Sequence, residues 1–379
     1  MTTNKQQLFS FSEHNISNHF KRMTCMEYLY LIVCCLKSGW WMSYFSVNNH
    51  LLNRCILIYY MFVYFRYTAT TFECSVPFAR QPSYVSMVKT SCSLPLNLLH
   101  VHSTTPTSGY KNNFTVCLLP LNYNYSRAFE IVEWIELNRL IGADKFVVYN
   151  YSSAPNIAIV LEHYSKLGLV EVVQWSIPVA VDTWPIQTKP DIHYFGQLAM
   201  LQDCLYRSKR ESEYLVNIDL DEFIIPRGEN ITTWSQMIKS LNASNGSFVF
   251  RNTFFRKEWA DTNVNFPGKS EAIKHQLVSL LKTKHEKSIL PHGSRSKYIV
   301  HTGMVNRLNV HTAMTSKHRL VQPEVALLHH YRNWLKYNEP ETMKVTDNIV
   351  VEKYSGKLIE NVINTWKMLP NVSQHLHTT

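Results

Sequence analysis

Glycine is scarce in this chain, with 11 residues in 379. No Gly-x-Gly-x-x-Gly turn and no Walker loop occurs, so the phosphate cradles of dinucleotide oxidoreductases and P-loop enzymes are missing. Gly-x-Ser-x-Gly is missing too, which removes the usual serine-hydrolase elbow. The eight cysteines form no Cys-x-x-Cys pair, so a zinc site of that type is not expected. Concentrated basic runs of the nucleic-acid-binding kind are also absent, and no nucleic-acid partner is expected. Yet Lys and Arg total 38 against 28 Asp and Glu, a formal charge of +10. Spread out in this way, a basic excess suits smaller anionic partners such as nucleotide phosphates, or an acidic membrane surface.

Hydrophobic residues make up 45% of the chain, enough for a substantial core. Two apolar runs near the amino terminus, Cys25–Leu36 and Cys55–Phe65, are each short against the roughly 20 residues of a spanning helix. Taken together, residues 25–67 read as a membrane anchor region with one spanning helix, preceded by a cytosolic tail over 1–24. Lys21 and Arg22 before the first run favour an inside amino terminus, and Trp40, Trp41 and Tyr44 suit a membrane interface. Residues 68–112 carry Ser, Thr and Pro with weak periodicity and read as a stem or linker; residues 113–370 read as the folded domain. Asn-x-Ser/Thr triplets occur at Asn15, Asn113, Asn124, Asn150, Asn230, Asn242, Asn245 and Asn371. Asn113, Asn124, Asn230, Asn242 and Asn371 are the expected glycosylation sites of a lumenal domain. In that setting Cys74, Cys92, Cys117 and Cys204 are available for disulfides, with the pairing left open.

From Phe114 strands and helices alternate. Phe114–Leu119 reads as a strand ending at Pro120, and Ser126 as the cap of a helix that Gly142 ends. Lys145–Tyr149 is a second strand, Pro155 opens a second helix that stops at Gly168, and Leu169–Trp175 is a third strand. Tyr194, Leu198, Leu201 and Leu205 make a further helical stripe. This order predicts an α/β fold, a mostly parallel Rossmann-like sheet with helices on both faces, and ligands bound beyond the carboxyl ends of its strands.

The apolar strand at Tyr214 then runs into Ile218-Asp219-Leu220-Asp221-Glu222-Phe223. Unpaired buried carboxylates are costly, so a cation is expected beside them. Read as one extended strand, Asp219 and Asp221 share a face and Glu222 points the other way with no role. Two hard oxygen ligands suit Mg²⁺ or Mn²⁺, with neutralisation by a nearby Lys or Arg as the competing reading. An aspartyl-phosphate phosphatase would want Thr where Phe223 stands. Leu327-Leu328-His329-His330-Tyr331-Arg332 supplies a candidate third ligand in His330 and a phosphate fork in Arg332; His311 is another candidate ligand.

The chain resembles glycosyltransferase family 92. The resemblance is carried by Cys117-Leu118-Leu119-Pro120, Glu133-Trp134-Ile135-Glu136, Leu140 to Phe146, Tyr149-Asn150, Gln197 through Cys204-Leu205, Asp219-Leu220-Asp221-Glu222-Phe223, Lys297-Tyr298-Ile299, Val310-His311 and His330-Tyr331-Arg332. It implies a GT-A fold, a type II Golgi membrane protein, and Mn²⁺-dependent, inverting transfer of a hexose, galactose in characterised relatives, from a UDP-sugar to a glycan acceptor. On that reading 113–370 is the catalytic domain. Asp219, Asp221 and His330 hold the metal; Leu119, Pro120, Asn150, Asp219 and Arg332 line the donor site; and Glu258 or Asp261 serves as base. A degenerate glycan-binding module and a metal-dependent phosphohydrolase are the alternatives.

Overall fold

The computed structural model describes residues 108–369 apart from 184–186, 188, 243–245, 316 and 334–339, together with 29–37, 44–47, 50–51, 55–59, 66–74, 83–88, 99–104, 106 and 372. Contacts divide the chain into two units, 1–105 with 175–203 and 106–174 with 204–379. In the first unit Tyr67–Cys74 lies between Leu29–Lys37 and Cys55–Tyr59 in a three-stranded antiparallel sheet. The helix expected over 25–67 is therefore not seen among the described residues, none of whose helices is long and apolar enough to cross a membrane. The β-branched and aromatic content of these runs favours strands.

The second unit opens with β1 (Asn112–Leu121), α1 (Ala128–Ile141), β2 (Lys145–Asn150), α2 (Pro155–Lys166) and β3 (Val170–Gln174). After α3 (Gln197–Ser208) come β4 (Ser212–Asn217), β5 (Glu222–Pro226), α4 (Trp234–Ser240), β6 (Ser247–Phe250) and β7 (Asn252–Arg256). Then follow α5 (Lys269–Lys274), α6 (Val278–Leu281), β8 (Lys284–Glu286), β9 (Lys297–His301), β10 (His318–Val321), β11 (Ala326–Arg332), β12 (Lys344–Thr346) and α7 (Ile349–Met368).

The main sheet has the order β3-β2-β1-β4-β9-β6-β10. Its first four strands are parallel, while β9 is antiparallel to both neighbours. Side chains alternate across β1. Phe114, Val116 and Leu118 join one buried cluster with Ile131 and Ile135 of α1. Cys117 points to the opposite face, where a disulfide ties it to Cys204 in the last turns of α3. Helical residues therefore cover both faces, as the alternating pattern predicts.

Gly142, at φ +123°, ends α1 as expected. Ser126 does not cap it. The cap position is Arg127, without a side-chain bond. The Ser126 carbonyl is instead engaged by Ala128 N–H at 3.0 Å and by Asn156 Nδ2 at 2.7 Å, and its hydroxyl is buried without a hydrogen-bond partner.

The acidic segment is the main departure. It is not one strand. β4 ends at Asn217, and Glu222 begins β5 in a second sheet ordered β5-β11-β7-β8-β12. Between the two sheets Asp219–Glu222 is a β-turn closed by Glu222 N–H on Asp219 O at 3.1 Å. The side of β4 away from β1 is taken by β9, and the chain passes to the other sheet, where β5 pairs antiparallel with β11.

Candidate active site

The turn lies beyond the carboxyl end of β4. Trp134, buried on α1, donates its indole N–H to Asp219 O at 3.0 Å and pins the turn to the helix. Lys297, at the start of β9 and 1% exposed, brings its Nζ to 2.9 Å from Asp219 Oδ2 and 3.4 Å from Glu222 Oε2. On the second sheet, Glu222 of β5 pairs directly with His330 of β11, which pairs with Phe254 of β7. Asn252, two residues before Phe254, shares that face. His330 Nε2 lies 3.2 Å from Asp221 Oδ2, and its Nδ1 lies 3.4 Å from Glu222 Oε1 and 3.1 Å from Asn252 Nδ2.

Burial and charge compete here. Burial pushes Glu222 up to about 7, even against the nearby Lys297. Burial would also raise Asp221, but the hydrogen bond and charge of His330 bring it below its ordinary value. For His330 burial works against the proton; Glu222, Asp221 and Asp219 outweigh it and lift the imidazole above its usual range. Lys297 rises for the same reason, held charged by Asp219 and Glu222. The cation expected beside the carboxylates is thus Lys297.

Two carboxylates, Asp219 and Glu222, face this buried cation, and the third, Asp221, faces His330. Asp219 Oδ1 is buried with no hydrogen-bond partner, and Asp221 keeps 39% of its side chain exposed. Such hard, incompletely satisfied oxygens beside an imidazole suit a dication that takes its remaining ligands from phosphate oxygens. Among the described residues no three His, Cys, Asp or Glu side chains are placed so as to hold a metal ion by themselves. The set fits a metal shared with a ligand.

The other sequence candidates stand at strand ends and in the segments that follow them. Leu119 and Pro120 sit at an irregularity in β1, where the ladder to β2 shifts register between Leu118 and Leu121; Pro belongs at such a break because it offers no N–H. Asn150 ends β2 with its Oδ1 buried and unpartnered. Arg332 ends β11, exposed, on the same face as His330. Glu258 and Asp261 follow β7. Arg256 holds Glu258 at 3.0 Å and Lys282 holds Asp261 at 2.7 Å. His311 makes a 3.2 Å contact to Ser296 O, and burial, with help from Lys297, lowers its proton affinity. Asn113, Asn124, Asn230 and Asn242 are exposed, and Asn371 lies outside the described residues.

Three participants escaped the sequence reading: Lys297, Asn252 and Glu222, which does not point away but closes the site. A lysine heading the apolar run Lys297–Val300 and an acid heading Glu222–Ile225 are each costly to bury, and that cost is the signal that they need partners.

A profile of glycosyltransferase family 92 matches residues 112–375. A beta-1,4-galactosyltransferase of Caenorhabditis elegans is 30% identical over 119 residues, 31% of this chain and 26% of that protein. A glycosyltransferase family 92 protein of the same organism is 23% identical over 279 residues, 69% of this chain and 52% of that protein. Among solved structures, GalNAc-T7 with UDP, GalNAc and Mn²⁺ aligns over 68% of this chain and 48% of its own at 10% identity, with a TM-score of 0.34; so loose a likeness assigns no residue roles. The profile spans the main sheet, the acidic turn and the strand bearing His330, and the chain belongs to glycosyltransferase family 92.

Proposed function

We propose that this chain is a GT-A-like, metal-dependent, inverting hexosyltransferase that moves a sugar, galactose first among the candidates, from a UDP-sugar to a glycan acceptor. The observation that carries this reading is the turn beyond the carboxyl end of β4, which bears Asp219 with an unpartnered Oδ1 and sets Asp221 3.2 Å from His330 Nε2. Family membership and the partial likeness to a galactosyltransferase support it.

Asp219, Asp221 and His330 would hold Mn²⁺, which supplies neutralisation of the departing diphosphate. Leu119, Pro120 and Asn150, at the ends of β1 and β2, line the donor side, and Arg332 offers a planar fork to phosphate oxygens. The acceptor hydroxyl attacks the anomeric carbon as the bond to the diphosphate breaks, and inverts it. Glu258 or Asp261 takes the hydroxyl proton. Asp261, with 49% of its side chain exposed, is the more accessible of the two. The Cys117–Cys204 disulfide and the exposed sequons support an oxidising secretory compartment, and a Golgi membrane address is part of the proposal.

The full-length protein, purified and given UDP-galactose and a panel of glycan acceptors, should transfer sugar with Mn²⁺ and stop with EDTA. Unimpaired transfer by an Asp219→Ala/Asp221→Ala double variant would remove the metal from the mechanism. Donor binding without transfer to any acceptor would indicate a glycan-binding module, and release of phosphate from simple monoesters a phosphohydrolase.

A further inference from the structure

Glu222 touches every part of the centre. It is 1% exposed, and its two oxygens divide the work. Oε2 accepts the backbone N–H of Asp219 at 2.9 Å and lies 3.4 Å from Lys297 Nζ. Oε1 lies 3.4 Å from His330 Nδ1. The Asp219 turn is thereby closed twice, once through the backbone and once through this side chain. Lys297 closes a second ring by gripping Asp219 Oδ2, which leaves Oδ1 as the oxygen without a partner. On the other side, Oε1 faces Nδ1 of the buried imidazole and fixes the plane of the ring, so that Nε2 is held 3.2 Å from Asp221 Oδ2. Asn252 reinforces this. Its amide is fully buried against the same Nδ1, and its oxygen has no donor. Turned about its own axis, the amide would offer that oxygen to Nδ1–H within the same volume.

We propose that Glu222 is the positioning residue of the site. It is not itself a ligand, and it sets the attitude of both Asp219 and His330 toward the dication. The inference rests on the metal-dependent reading above and extends it to a residue for which the acidic motif alone implies no role. Partners of this kind around ligating groups typically change metal affinity by about 10–100-fold when removed.

The test compares full-length wild type with Glu222→Gln, which keeps shape and loses the charge, and with Lys297→Met as a second variant should the first fail to fold. Mn²⁺ binding is followed by the electron paramagnetic resonance of the free ion, and the His330 ring by ¹⁵N shifts in histidine-labelled protein. The expected result for Glu222→Gln is Mn²⁺ affinity about 10–100-fold weaker, together with changed ¹⁵N shifts of the His330 ring at a nearly unchanged melting temperature. Lys297→Met should weaken Mn²⁺ binding while leaving the His330 shifts in place, because it touches only the Asp219 side. Equal Mn²⁺ affinity and identical ¹⁵N shifts in wild type and Glu222→Gln would overturn the positioning role. Wild type that binds no Mn²⁺ would instead overturn the metal reading, and this inference with it.

Discussion

Two sets of carboxylates, one on α1 and one at the turn that Trp134 of the same helix pins, do opposite things. Glu133 on α1 is 1% exposed, and both of its oxygens are occupied: Oε1 accepts Ser279 N–H at 2.8 Å and the Ser279 hydroxyl at 2.6 Å, and Oε2 accepts Val278 N–H at 3.0 Å. Glu136, one turn on, accepts from Tyr164 at 2.8 Å and pairs with Arg139 at 2.9 Å, joining α1 to α2. These groups are closed. At the Asp219–Glu222 turn the closure is partial, since Asp219 Oδ1 has no donor and Asp221 is open to solvent. A carboxylate whose lone pairs are all spent on its own chain holds the fold together. One left with an unspent lone pair at a strand end is available to a ligand.

The largest expected effect lies on the open side. Asp219→Ala/Asp221→Ala should lower sugar transfer about a thousandfold, in the range seen when electrostatic stabilisers are removed, while its melting temperature stays close to wild type. A double variant that melts early and transfers normally would erase the distinction. On the closed side, Glu133→Ala strands three buried donors of α6, and should cost about 3 kcal/mol in urea unfolding while transfer by the folded fraction stays within a few-fold of wild type.

Acidity separates the two sets further. Burial lifts Glu133 from 4.5 to about 7 against the three hydrogen bonds it receives. A carboxyl whose folded value is raised contributes stability that is fully present below 4.5 and is lost as pH rises through about 7. The stability gap between wild type and Glu133→Gln should therefore narrow by about 2–3 kcal/mol between pH 4.5 and 8, as read from unfolding curves across that range. The smallest effect belongs to a carboxylate of neither kind. Glu162 pairs with Lys166 at 2.7 Å on the exposed side of α2, and Glu162→Ala should change neither melting nor transfer.

Much of this was legible before any coordinates. The order β1-α1-β2-α2-β3 follows from apolar runs punctuated by Pro120, Gly142, Pro155 and Gly168, because strand and helix periods differ and these residues break both. The contact of Asp221 with His330 was also within reach. Their geometry was not. A reading along the chain takes the segment from Tyr214 through the acids as one extended strand, since nothing local tells a strand that continues from one that turns into another sheet.

What the sequence determined by itself was local: the alternation of elements, the acidic segment near a strand end, and the rule that acids buried there need a cation. What the tertiary structure decided was which cation and which face. Lys297 meets Asp219 because β9 pairs with β4, and Glu222 meets His330 because β5 pairs with β11. Those pairings join residues far apart in the chain. They are chosen by where apolar faces can be buried together, a property of the assembled sheets that no short stretch of residues carries.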